Sequence, residues 1–206
     1  DGPALHRRIE AKEPITVDYL VGELHTFLDR FVQSPPYHVV ASSLGGKVAV
    51  EFAVRHPELV NRMVLLCPSG LGDEEHLPVV DGVMRGDMQS MVRSVFHRTR
   101  GVDREVKTIR GTNDHVVRGR LKELKAATLL VTGAKDRICD PATAAAAAAE
   151  LPAGLGHFLS IPKCGHAPQV ERHWLVNRLV AHFLTSPHPT AHPTWAQLLT
   201  VIRSEE

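Results

Sequence analysis

Three residues far apart in the chain, Ser43, Asp136 and His166, have the types and settings for nucleophilic catalysis. Ser43 stands in Ala41-Ser42-Ser43-Leu44-Gly45-Gly46, between a run that reads as a strand and one that reads as a helix. A nucleophile on so sharp a turn is forced into a strained backbone conformation, which calls for small residues two positions to either side. Ala41 and Gly45 meet that need, and Gly46 lets the helix approach the sheet. The turn should lift the Ser43 hydroxyl clear of the sheet and aim the helix N-terminus at it. The Leu44 backbone N–H is then placed to stabilise an oxyanion. The usual form of such a turn has glycine at the first small position, where this chain has alanine.

A serine hydroxyl is a poor nucleophile without a base to take its proton and an acid to orient that base. Asp136 lies in Gly133-Ala134-Lys135-Asp136-Arg137-Ile138, directly after a strand-like run. That is the C-terminal edge at which parallel sheets present their sites. His166 lies in Pro162-Lys163-Cys164-Gly165-His166-Ala167-Pro168, after the last strand-like run, and Gly165 gives the imidazole room to reach both partners. Each motif alone is weak; the order Ser, Asp, His, each after its own strand, is the specific signal.

Competing assignments are weaker. Asp140 also follows the strand but precedes Pro141 and reads as a helix cap. Asp114 is a second rival for the acid, away from the expected strand end. Cys164 has no helix N-terminus behind it and reads as a buried structural thiol. His188 and His192 are four apart, but Pro189 breaks the helix that would pair them on a metal. Ala41 to Val48 approaches the phosphate-binding pattern G-x-x-x-x-G-K-[ST], yet Val48 replaces the hydroxyl that must hold magnesium. No cofactor and no metal are implied.

The elements that must hold these residues alternate. A 3.6-residue apolar stripe (Val17, Leu20, Val21, Leu24, Phe27, Leu28, Phe31) predicts a helix over 15–31 with Thr16 as its cap. Strands are expected at 37–42, 62–67, 128–132 and 157–161, and helices at 45–56, 141–151 and 170–184. Strands alternating with helices argue for an α/β fold, a doubly wound and mostly parallel sheet covered on both faces. Residues 69–125 interrupt the alternation and read as an excursion over the sheet of a single domain, not as a new domain. Residues 186–206 hold Pro187, Pro189 and Pro193 and read as a loose tail with one short amphipathic end.

Composition limits the partners. Of 206 residues, 43% are hydrophobic and 23% charged, which fits a globular chain and excludes a disordered one. The net charge of +1 gives no general pull toward nucleic acid or an anionic membrane. No apolar run reaches bilayer-spanning length. Three well-separated cysteines without C-x-x-C spacing read as reduced thiols of a cytoplasmic protein. Residues 85–125 carry eleven Arg or Lys against five acids: a basic lid suited to acidic substrates, or the commoner solvated helical surface. Phe96 is the only aromatic residue there, which argues against stacking on nucleic acid. The expected partner is a small-molecule substrate.

From Ile15 to Leu184 the chain resembles the α/β-hydrolase superfamily. SSLGGKVAVEFAVRHPELVNRMVLLCPSGLG resembles its nucleophile elbow, the following helix and the next strand; TLLVTGAKDRICDP resembles its acid-bearing turn. SIPKCGHAPQVERHWLVNRLVAHFL resembles its histidine loop and last helix, closest in wording to the meta-cleavage-product hydrolases and esterase-like members. The resemblance implies a serine hydrolase with Ser43 as nucleophile, Asp136 as acid, His166 as base, and residues 69–125 as a small cap. It also implies about four strands and an H-G type oxyanion loop before residue 15, which nothing here matches. A chain that starts at Asp1 is therefore expected to expose a sheet edge at its first strand. It is also expected to be weakly active, lacking one oxyanion donor, or to act as a non-catalytic scaffold.

Overall fold

Four strands pair in parallel and in chain order: β1 (Tyr37–Ser42), β2 (Val60–Leu66), β3 (Ala127–Gly133) and β4 (Gly156–Ile161). The computed structural model describes residues 7–8, 10–11, 13–32, 34–72, 112, 115–188 and 193–203. Most of the expected cap, with Asp114, lies outside the described residues, as does His192.

The chain divides into two bodies, residues 34–72 with 117–206 and residues 1–33 with 73–116. The first holds the sheet. Its central strands β2 and β3 carry apolar runs, Met63–Leu66 and Leu129–Val131, that are buried because both faces are covered there. Val64 and Leu66 of β2, Leu129 and Val131 of β3 and Ile161 of β4 share one cluster with Leu175, Leu179 and Phe183. Leu65 points the other way, toward the helix that begins at Leu44. The sheet is thus wound on both sides, as the alternation predicts. Among the described residues β1 forms one edge of the sheet, and Val40 on it is exposed.

In this body the helices are α2 (Leu44–Arg55), α3 (Pro141–Ala148), α4 (Pro168–Glu171), α5 (His173–Thr185) and α6 (Pro193–Arg203). Helix α3 stops three residues before the expected Leu151. Its end tightens into three successive i→i−3 hydrogen bonds, at Ala149, Glu150 and Leu151, ahead of Pro152. The single helix expected at 170–184 is two, parted at Arg172 (φ −131°, ψ 37°).

The larger correction concerns the tail, whose residues 193–203 are not loose but helical. Helix α6 turns Trp195, Leu198 and Ile202, one helical stripe, into the core cluster beside Phe183. The prolines that suggest looseness come before this helix or, like Pro193, open it. Arg62 of β2 fixes the exit from α5 by donating to the carbonyls of Phe183 (2.5 Å), Ser186 (2.6 Å) and Pro187 (3.3 Å).

The second body contains helix α1 (Val17–Phe31). Thr16 caps it as predicted, its Oγ1 accepting from the Tyr19 N–H at 3.2 Å. The Arg8 guanidinium lies 4.4 Å above the Tyr19 ring, a cation–π contact.

Candidate active site

Strand register decides which loops meet. Ser42, Leu66 and Val131 are in line across β1, β2 and β3, and Gly133 faces Ile161 of β4. The turns after β1, β3 and β4 therefore rise side by side from one sheet edge.

Ser43 follows β1 directly, at φ 51° and ψ −122°. A positive φ at a non-glycine residue costs about 1–3 kcal/mol and persists only where neighbours enforce it. Here the Ser43 N–H donates to the Leu66 carbonyl (3.1 Å), and the Ser43 carbonyl accepts from the Gly46 (2.9 Å) and Ser69 (3.1 Å) N–H groups. The small-residue requirement falls unevenly. A Cβ on Gly45 would sit 3.9 Å from the Ala41 Cβ, an ordinary contact, whereas one on Gly46 would sit 2.5 Å from the Pro68 Cβ. Gly46 is the position that lets α2 lie close. Leu44 opens α2, so its N–H belongs to the first turn, whose N–H groups have no intrahelical acceptor.

Asp136 sits in a turn after β3, closed by its own N–H to the Gly133 carbonyl at 3.0 Å. The carboxylate is buried and fully engaged. Oδ1 accepts from the Ile138 (2.8 Å) and Cys139 (3.0 Å) N–H groups, and Oδ2 lies 2.9 Å from His166 Nδ1. Burial works against the charged form, but the hydrogen bonds from His166, Cys139 and Ile138 outweigh it, and the carboxyl titrates below its ordinary value. An ionised carboxylate only accepts, so Nδ1 carries the ring proton. The Nε2 lone pair then faces the Ser43 hydroxyl, whose Oγ is 3.0 Å away.

The loop carrying His166 leans on the Asp136 turn through the Lys135 N–H to the Cys164 carbonyl (2.8 Å) and the Ala134 N–H to the Ile161 carbonyl (2.9 Å). Gly133 permits this approach, since a Cβ there would lie 2.5 Å from the Cys164 carbonyl oxygen. Glu171 pins the loop from the far side. Its carboxylate accepts from the Gly165 N–H (2.8 Å) and the Ala167 N–H (3.1 Å), the residues on either side of His166. Sequence reading misses Glu171, because a residue that serves backbone N–H groups needs no side-chain partner to betray it.

The remaining candidates resolve simply. Asp140 caps α3, accepting at Oδ2 from the Thr143 N–H and hydroxyl, each 2.8 Å away. Cys164 is buried, and burial pushes its thiol up to about 11. Cys67, not singled out by sequence, follows β2 at φ 45° and is buried beside Asp136 and His166. Two of the arginines in the basic stretch are structural: Arg118 pairs with Glu150 (2.6 Å) and Arg120 with buried Glu51 (3.6 Å). No helix among the described residues is long and apolar enough to cross a membrane.

Residues 11–178 match the profile of the Alpha/beta hydrolase family. Among curated relatives, the chain is 23% identical over 211 residues to monoacylglycerol lipase abhd6-B of Xenopus laevis, covering 82% of this chain and 61% of that protein. It is 26% identical over 183 residues to a 2-hydroxy-6-oxo-6-phenylhexa-2,4-dienoate hydrolase of Burkholderia cepacia, covering 72% and 63%. The chain therefore spans less than two thirds of the length of these relatives. Of solved structures, the α/β-hydrolase enzyme MGS-M2 from a Medee basin deep-sea metagenome library superposes with a TM-score of 0.71 at 20% identity, over 84% of this chain and 74% of that one. A meta-cleavage product hydrolase of Pseudomonas fluorescens IP01 gives 0.62 at 20% identity, over 82% and 72%.

Proposed function

The chain belongs to the α/β-hydrolase family, and on that premise we propose that it is a serine hydrolase of small-molecule substrates, cleaving an ester or a C–C bond beside a carbonyl. The observation that carries this reading is the unbroken hydrogen-bonded line from Ser43 Oγ through His166 to Asp136 Oδ2, at 3.0 and 2.9 Å.

In an ester, Ser43 Oγ attacks the carbonyl carbon while His166 Nε2 takes the hydroxyl proton. The imidazolium that forms is stabilised by Asp136, whose two backbone N–H bonds keep Oδ2 aimed at the ring. The Leu44 N–H supports the charge developing on the carbonyl oxygen. His166 then protonates the leaving alcohol, and a water deprotonated by the same ring releases the acid and restores Ser43. The two bond types stay together in the proposal because similar proteins include a monoacylglycerol lipase and a dienoate hydrolase. Residues 69–125 are assigned the part of a cap that selects the substrate.

The test is steady-state turnover of p-nitrophenyl esters of graded acyl length and of a 2-hydroxy-6-oxo-dienoate, with S43A alongside. Turnover of either class that disappears in S43A supports the reading and assigns the bond. Turnover that survives in S43A overturns it. A folded chain that cleaves neither class is a non-catalytic scaffold.

A further inference from the structure

Cys67 has no part in the chemistry above, yet it stands against its acid and base. Its sulfur, a carboxylate oxygen of Asp136 and a ring nitrogen of His166 all lie within 4.8 Å of one another. We propose that Cys67, Asp136 and His166 form a site for a thiophilic divalent cation, zinc above all, whose binding switches the hydrolase off.

The cluster comes near the dimensions of the ion. With zinc–ligand bonds of about 2.0–2.1 Å to N and O and about 2.3 Å to S, tetrahedral ligands lie roughly 3.3–3.6 Å apart. His166 Nδ1 and Asp136 Oδ2 are 2.9 Å apart, so the ion has to displace the hydrogen bond between them and open the pair slightly. The donor set also selects: one thiolate, one imidazole and one carboxylate suit zinc, whereas magnesium and calcium demand oxygen throughout. The His166 side chain is partly exposed and follows Gly165, which gives the ion an approach past the ring.

Burial, and then the neighbouring Asp136 carboxylate, push the Cys67 thiol up, so it keeps its proton until the ion displaces it. Zinc replaces the Cys67 thiol proton, which leaves to solvent, and a thiolate plus a carboxylate offset the two positive charges. The buried site is then neutral overall. At His166 the ion takes Nδ1, so the proton once held there moves to Nε2. The ring remains neutral, but the lone pair that faced Ser43 Oγ becomes an N–H. The base is lost without any change in Ser43. Nothing is oxidised or reduced. The inhibitory consequence rests on the hydrolase reading; the binding site does not.

Cobalt(II) serves as the spectroscopic probe because it adopts zinc's geometry. Added to the full chain, it is expected to produce a thiolate-to-cobalt charge-transfer band that zinc erases. The band should vanish in C67A and C67S and persist in C164A and C139A. In parallel, zinc should inhibit ester hydrolysis reversibly toward EDTA, magnesium should not, and C67A should weaken zinc inhibition by about 10-fold or more. Absence of the cobalt–thiolate band in the unmutated chain, or its persistence in both Cys67 variants, overturns the site. C67S keeps the comparison available should C67A not fold, since a serine oxygen gives no such band. The band requires no turnover, so a chain that shows it but hydrolyses nothing keeps the cation site and loses the hydrolase reading.

Discussion

Glu171 holds the backbone of Gly165 at 2.8 Å, one residue ahead of His166, and closes the clamp with a second bond to Ala167. His166 is therefore aligned by a residue that bonds to the backbone on either side of it. E171A should lower kcat about 10- to 100-fold with KM nearly unchanged, because misplacing a general base affects the chemical step. E171Q should recover part of the loss, as its amide oxygen accepts one of the two N–H bonds. A KM effect without a kcat effect would contradict the positioning role.

The two adjacent glycines of the serine turn should behave differently. G46A must push α2 off Pro68 and is expected to cost about 1–3 kcal/mol. G45A meets only an ordinary contact with Ala41 and should fold close to normally. Urea midpoints of the two variants check the contrast.

D136N should keep a folded chain yet lower kcat by about 10⁴-fold, because an amide can present an N–H to His166 and favour the wrong tautomer. Comparing kcat with the midpoint of thermal unfolding separates this effect from loss of the turn that Oδ1 holds together.

His157 packs edge-on against Phe183 and Trp195, and burial lowers its pKa from an ordinary value of about 6.5. Between the lowered folded value and 6.5 the unfolded chain binds more protons than the folded one. Its contribution to stability is thus present above about pH 6.5 and lost as pH falls through the folded value. Thermal unfolding across that range should shift less in H157F than in the unmutated chain; equal shifts would contradict the assignment.

W195A removes the indole that ties α6 into the core and should cost about 3–5 kcal/mol. A near-neutral result by urea unfolding would restore the loose tail expected from sequence.

The parts of this protein that are legible in its sequence are those that repeat a local rule. RMVLL and TLLVT announce strands covered on both faces, and the small residues around Ser43 announce a turn that tolerates little else. Glu171 and Cys67 are not legible, because one serves backbone groups and the other meets its neighbours only through strand register. The break at Arg172 and the docking of α6 are likewise tertiary outcomes: Trp195, Leu198 and Ile202 form a visible stripe, but what covers it is decided by β2, β3 and α5.

The most direct measurement is labelling of the purified chain with a fluorophosphonate, read by intact mass beside S43A. The account predicts a single adduct on the unmutated chain and none on S43A, because only a serine whose proton His166 can take attacks phosphorus at a useful rate. An unmutated chain that remains unlabelled while folded, or an adduct that persists in S43A, would contradict it.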